Sequence, residues 1–284
     1  IAHAVLETQH RMRPDISSIA RHMTYPELRD HESVAGRENV KGLAANVCFI
    51  NHSEPENGEA DYGMAFKSLS KVNEFEADMA VQVAQFLLLQ GYRTDSIVVL
   101  TPYLGQLKVL NEKFKKHRIT ATVGERDVDD LLNIGVDQPW LQQIDHSATG
   151  VRTCTIDNYQ GEEADLIITT LVRSNQKGQL GFLGKADAEQ RVNVLCTRAR
   201  LGMIFIGNVE CFQNASPRSQ LWIRLLGLLR ERGEIFDGLP IKCQMHEELC
   251  QPVGTPMALR QWCAQGAGCG RKCGKLLDCG HVCP

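Results

Sequence analysis

The 284-residue chain has no run of eighteen or more apolar residues and no basic-then-apolar leader at its start, so no membrane segment and no secretory signal can be read in it. It also lacks an excess of one charge. A formal net charge of −3 gives no basic footprint, so any nucleic-acid contact has to come from a local groove. No internal repeat is visible. No G-x-x-x-x-G-K-[ST] phosphate loop occurs anywhere, and no Asp-Glu pair is placed to hold Mg2+; the usual cradle for a nucleoside triphosphate is missing. The chain opens in mid-pattern at "IAHAVLETQH", without methionine, as expected of a piece of a longer protein.

What is present is the balance of a globular protein, 43% hydrophobic and 23% charged, on a length that suits one or two domains with real cores. Cysteine usage is lopsided. Cys48, Cys154, Cys196 and Cys211 are scattered on mostly apolar runs, while seven others crowd into residues 243–284. The scattered four read as buried thiols acting as small hydrophobes.

Strands and helices alternate. "NVCFINH", "SIVVL", "VRTCTI", "LIITTLV" and "GMIFIGN" are short and rich in β-branched residues, as strands are. A helix should start at Pro14–Asp15. Another should run through "NEFEADMAVQVAQFLLLQG", with Asn73 and Glu76 in a capping-box pattern and Gly91 ending it. "AEQRVNVLCTRA" fits a helix before "GMIFIGN", and "SQLWIRLLGLLRERG" a closing one. This order predicts an α/β fold with a parallel sheet. Residues 121–150 are polar, Asp-rich and weakly patterned, and read as an insertion whose run "ERDVDD" is a solvated face. The loops "TPYLGQ", "DNYQGEE" and "RSN" each follow a strand, which predicts a working edge at the carboxyl ends of the sheet.

"RVNVLCTRAR" (191–200) raises a sharper question, because Arg198 and Arg200 are two apart and cannot share one helix face. Together with "QHRMRP" (9–14), "TPYLGQ" (101–106), "TIDNYQGEEAD" (155–165) and "LVRSN" (171–175), this segment resembles the second RecA-like domain of superfamily 1 helicases. The likeness is to the group containing the nonsense-mediated-decay RNA helicase and senataxin, and it covers roughly residues 5–210. It implies a RecA-like parallel sheet flanked by helices in a domain spanning residues 1–236, and ATP with Mg2+ bound against a first RecA-like domain elsewhere in the same chain. Arg198 is then the arginine finger and Arg11 the second γ-phosphate arginine. His10 stands where relatives often carry an adenine-stacking tyrosine. Gln160, Gly161 and Glu163 are implied to sense nucleotide, Glu163 at the ribose, and Thr101, Tyr103 and Thr155 to hold the backbone of single-stranded RNA, with DNA as the alternative. Without the first domain this piece should not hydrolyse ATP alone.

Plainer readings stand beside these. Arg200 suits a salt bridge better than a phosphate. Tyr103 serves equally as a packing residue, Glu162 as a solvated one and Asp15 as part of its helix's first turn; Trp140 and Trp222 read as packing residues.

From residue 237 the character changes. Cys243-x2-His246, Cys250, Cys263, Cys269-x3-Cys273 and Cys279-Gly-His281-Val-Cys283 offer the short-loop Cys/His pairs that zinc takes in a tetrahedron. Too few apolar residues accompany them for a core of their own, so Zn2+ would supply folding energy. Disulfides and unliganded thiols are the alternatives, and the reducing compartment of a helicase favours metal. The "CGHVC" ending resembles NFX-type zinc fingers, which makes 237–284 the start of such a region. Cys243, His246, Cys269 and Cys273 form the favoured site, with Cys250 or Cys263 as substitutes. Cys279, His281 and Cys283 form a second site completed beyond Pro284.

The leading expectation is an intracellular, cytoplasmic or nuclear ATP-dependent RNA helicase or translocase with zinc fingers for nucleic acid or protein partners. A scaffold that binds without unwinding is the competing reading, and a ubiquitin-ligase role for the zinc tail a third.

Overall fold

β-Branched runs of five to nine residues flanked by polar turns become parallel strands when helices cover both their faces. The computed structural model describes residues 7–57, 71–136, 140, 149–184, 188–214, 220–246 and 248–271. Its elements are β1 (Thr8–Gln9), α1 (Pro14–Met23), β2 (Arg29–Asp30), β3 (Val47–Asn51), α2 (Glu74–Leu89), β4 (Ile97–Thr101), α3 (Leu104–Lys116), β5 (Ala121–Val123) and α4 (Glu125–Asn133). They continue as β6 (Val151–Thr155), β7 (Ala164–Thr170), α5 (Ala188–Thr197), β8 (Ala199–Gly207), α6 (Val209–Gln213), α7 (Gln220–Glu231), β9 (Ile235–Phe236), β10 (Leu239–Lys242), β11 (Cys250–Val253) and α8 (Pro256–Ala264). Seven strands form one sheet in the order β5-β6-β4-β7-β8-β3-β9, every pairing parallel. The expected α/β architecture is present.

Alternation along each strand divides the core in two. Val98, Leu100, Phe49, Met203 and Phe205 face α1, α5 and α7; Val99, Ile50, Ile168, Ile204 and Ile206 face α2 and α8. Ten of the sixteen residues of α2 are buried, because the sheet, α3 and α8 all pack against it. No helix among the described residues is long and apolar enough to cross a membrane.

Two expectations are corrected. The first is the insertion at 121–150: β5 pairs with β6 as the edge strand of the main sheet, and α4 turns Leu131 into a small core with Leu107 and Val123. "ERDVDD" is solvated at Glu125, Arg126 and Asp129, but Asp127 is wholly buried. The second is the boundary at 237. β10 and β11 form an antiparallel pair, and their Leu239, Ile241 and Val253 share one core cluster with Phe86 of α2 and Leu259 of α8. Gly42, at φ +80 and with a would-be Cβ only 2.8 Å from Phe86, lets the chain pass this junction. The tail has too few apolar residues for its own core and borrows the sheet's.

Capping departs from the box pattern too. Asn73 accepts the Glu76 amide at 3.1 Å, but Glu76 does not reach back. Its buried carboxylate instead meets His52 Nε2 at 3.0 Å and the Val172 amide at 2.7 Å. Burial raises the Glu76 pKa, with His52 opposing. Val172 sits at φ +69, which is costly for a β-branched residue, and this hydrogen bond helps hold it there.

Candidate functional site

α5 ends at Thr197 and β8 begins at Ala199, so Arg198 occupies the reversal between them. Ala199 points into the core and the flanking arginines out. This answers the two-arginine spacing: a helix-to-strand junction presents both side chains without needing one helix face. Arg200 takes the plainer role. Its Nε donates to Asp165 at 2.9 Å and its Nη1 to Glu163 at 3.3 Å.

Arg198 is not neutralised in this way. Its Nη1 donates to the main-chain carbonyl of Glu162 at 3.3 Å, while Nε is buried with no hydrogen-bond partner among the described residues. Burial, then the neighbouring Arg11 cation, pushes its pKa below the usual arginine range. Arg11 lies beside it and donates from Nε to Glu163 and from Nη1 to the Thr197 carbonyl at 3.0 Å. Both arginines line an open cleft of about 550 Å3 that also includes His10, Tyr25, Glu163 and Asn193. An orphaned guanidinium N–H beside a second arginine suits an anion with several acceptor oxygens, such as a terminal phosphate.

This cleft is not at the expected edge. Glu163 and Arg198 immediately precede β7 and β8, whose first residues pair as Ala164 with Ala199, so the arginines stand at the amino ends. "TPYLGQ" and "RSN" do converge at the carboxyl ends, but as a packed assembly. Tyr103 is 3% exposed, tilted against Phe182 at 5.5 Å and within 3.4 Å of Arg173, which in turn pairs with Glu56 at 2.8 Å.

The side chains of the three residues expected to hold a nucleic-acid backbone are turned inward. Thr101 is fully buried and Tyr103 nearly so. Thr155 gives its hydroxyl to Asp127 at 2.5 Å. None of the three presents its side chain to a strand outside. Gln160 is exposed but lines a separate polar cleft of about 300 Å3 with Arg126, Arg152 and Asn158. Gly161 lies between the two regions at φ +93 with open space around it; backbone conformation, not crowding, requires glycine there. His10 lines the arginine cleft with its ring 4.1 Å from that of His31.

Sequence reading misses His31, Asn193 and Asp127. Asn193 carries a signal, since it lies one helical turn before Thr197 on α5 and bonds Tyr25 at 2.7 Å. His31 carries none.

Of the residues expected to bind metal, Cys243, His246 and Cys269 come together with donor atoms within 4.8 Å of one another. Cys243 Sγ lies 3.6 Å from His246 Nδ1, which lies 3.2 Å from Cys269 Sγ. Tetrahedral Zn–S bonds of about 2.3 Å put ligands about 3.8 Å apart, so the trio fits zinc. The Cys243 thiol falls to about 7: slight burial opposes ionisation, and the Met245 amide, Cys269 and His246 outweigh it. Neither suggested substitute joins them. Cys250 is exposed on β11, and Cys263 is packed in the core with its thiol raised to about 11 by burial. Cys273, Cys279, His281 and Cys283 lie outside the described residues.

The parallel sheet flanked by helices defines an α/β domain, and the chain belongs to the family described as AAA domain, which matches residues 1–210. It is similar to NFX1-type zinc finger-containing protein 1 of Mus musculus, 34% identical over 98% of this chain and 12% of that protein. It is also similar to the helicase required for RNAi-mediated heterochromatin assembly 1 of Schizosaccharomyces pombe, 30% identical over 76% of this chain and 18% of that protein. A third relative is the putative regulator of nonsense transcripts 1 of Takifugu rubripes, 27% identical over 82% of this chain and 18% of that protein. The chain spans less than a fifth of the length of each. The kinship with nonsense-mediated-decay-type superfamily 1 helicases and NFX-type zinc-finger helicases holds.

Proposed function

We propose that this chain is the C-terminal motor lobe of an ATP-dependent RNA helicase or translocase. In this reading Arg198 and Arg11 stabilise the γ-phosphate of ATP held by a first RecA-like lobe. The observation that carries it is the buried Nε of Arg198, without a partner among the described residues, beside Arg11 in the open cleft. Hydrolysis of Mg2+-bound ATP supplies the free energy. Arg198, pre-aimed by the Glu162 carbonyl, stabilises the charge that develops on phosphate oxygens. Arg11 waits on Glu163 and exchanges that carboxylate for phosphate as the lobes close. His10 meets the base, Glu163 the ribose, and the exposed turn at Gln160 and Gly161 faces nucleic acid.

Two relatives are named for RNAi and for nonsense transcripts, which supports RNA over DNA. Zinc on Cys243, His246 and Cys269, with Cys273 as fourth ligand, anchors the start of a finger region that binds nucleic acid or protein.

The test is RNA- and DNA-stimulated ATPase of the full-length protein and its Arg198→Ala variant. Loss of an arginine finger lowers turnover by roughly 10³-fold or more. No stimulated turnover in the full-length protein would refute the motor reading and leave the binding scaffold, and equal turnover in the two proteins would refute the arginine-finger role.

A further inference from the structure

Residues 156–163 leave the carboxyl end of β6, cross β4 and enter the amino end of β7. This strap therefore joins the packed carboxyl edge to the amino edge where Arg198 stands. Side chains pin it at both ends. At its start Asp127 of α4, wholly buried, accepts from the Thr155 amide at 3.2 Å, the Thr155 hydroxyl at 2.5 Å and Asn158 Nδ2 at 2.8 Å. Asn158 also donates to Asp130 at 2.9 Å. At its far end Arg152 Nη2 holds the Glu162 carboxylate at 2.8 Å. The carbonyl of that same Glu162 receives Arg198 Nη1 at 3.3 Å.

We propose that Asp127 is a positioning residue for Arg198, fixing the strap whose Glu162 carbonyl aims the guanidinium into the cleft. The proposal rests on the arginine-finger reading above. A buried carboxylate is destabilising unless its acceptor capacity is used, and Asp127 directs these bonds to Thr155 and Asn158, at the root of the strap, not to the helix that carries it. Without those bonds the root of the strap loses its side-chain anchor, and only Arg152 and the strap's own main-chain hydrogen bonds are left to place the Glu162 carbonyl. The Glu162 carbonyl then moves, and Arg198 loses the one hydrogen bond that orients it. α4 thereby becomes part of the ATPase apparatus, although it never touches the cleft.

The experiment is a double-mutant cycle on RNA-stimulated ATPase in the full-length protein, pairing Asp127→Ala with Arg198→Lys, whose residual turnover stays measurable. Asp127→Ala is expected to lower kcat by about tenfold or more, since misplacement by about 1 Å can cost about 10²-fold, with KM for ATP nearly unchanged. Asp127→Asn keeps a carbonyl toward Thr155 and Asn158 and should restore most of the loss. In the Arg198→Lys background Asp127→Ala should add little, because the two residues act through one geometry. Losses that multiply independently would overturn this inference alone. An Arg198→Lys variant with undiminished kcat would overturn the arginine-finger reading and this inference with it. If Asp127→Ala is too unstable to assay, Asn158→Ala takes its place in the cycle, and additive or non-additive losses are interpreted in the same way.

Discussion

Arg198 reaches Glu162 through a single hydrogen bond, Nη1 to the main-chain carbonyl at 3.3 Å, while its own Nε is buried without a partner among the described residues. An unpartnered buried donor costs about 1–3 kcal/mol. Two residues on, Arg200 avoids that cost with Asp165 and Glu163. The contrast separates an arginine kept for a ligand from one kept for the fold.

The same division runs through "QHRMRP". Arg13 is 8% exposed and holds Asp15 at 2.6 Å, the Glu38 carbonyl at 2.6 Å and Asn39 at 2.9 Å. Arg13→Ala should lower stability by about 2–4 kcal/mol, the scale for breaking buried charged hydrogen bonds. Arg11→Ala, at the open cleft, should leave the melting temperature within a few degrees of wild type while ATP turnover of the full-length protein falls. Thermal melts of both variants, with ATPase alongside, check this; a large drop in Tm for Arg11→Ala would speak against its assignment.

Thiol reactivity tests the zinc trio. Cys48, Cys154, Cys196 and Cys211 are buried, and burial raises their thiols, Cys154 and Cys196 to about 12. In the native zinc-loaded protein, iodoacetamide should modify Cys250 first among these and the trio. Adding a chelator should bring Cys243 and Cys269 into reaction and leave the buried four protected. Peptide mass mapping reads this out, and equal labelling of Cys243 before and after chelation would contradict zinc ligation.

Stability should fall as pH rises through neutrality. Burial raises the Glu234 carboxyl from 4.5 to about 7, against the pull of Arg232, and its Oε2 has no partner among the described residues. Between pH 4.5 and 7 the folded state holds this proton and the unfolded chain does not, so the contribution is lost as pH climbs and is flat above. Glu234→Gln should be more stable than wild type at pH 8 by on the order of 1 kcal/mol, with the advantage vanishing near pH 5. Denaturant melts at the two pH values test it; an equal or lower stability for the variant at pH 8 would contradict the burial cost.

Most strands are legible in the sequence because their β-branched runs end in polar turns, and α1 because Pro14 and Asp15 mark its first turn. β5 and α4 are not. A three-residue edge strand carries little periodicity, and the partners of Asp127 lie 28 residues or more away. The tail's boundary misleads for a related reason: Leu239, Ile241 and Leu259 are too sparse for a core until α2 is set beneath them. The sequence associates Arg11, Glu163 and Arg198, which do line one cleft, but does not place that cleft at the amino edge, because the strap carries its residues from one end of the sheet to the other. Burial of Thr101, Tyr103 and Thr155 is equally hidden, since hydroxyl side chains at strand ends look alike whether they face solvent or a neighbouring helix.

The most direct measurement is the affinity of the full-length protein and its Arg198→Ala variant for ADP with aluminium fluoride, a mimic of the phosphoryl-transfer transition state, compared with a non-hydrolysable ATP analogue. The account predicts that Arg198→Ala loses at least about 10²-fold in affinity for the mimic and much less for the ground-state analogue, because an arginine finger binds charge that appears only in the transition state. Equal losses for the two ligands, or none for the mimic, would contradict it.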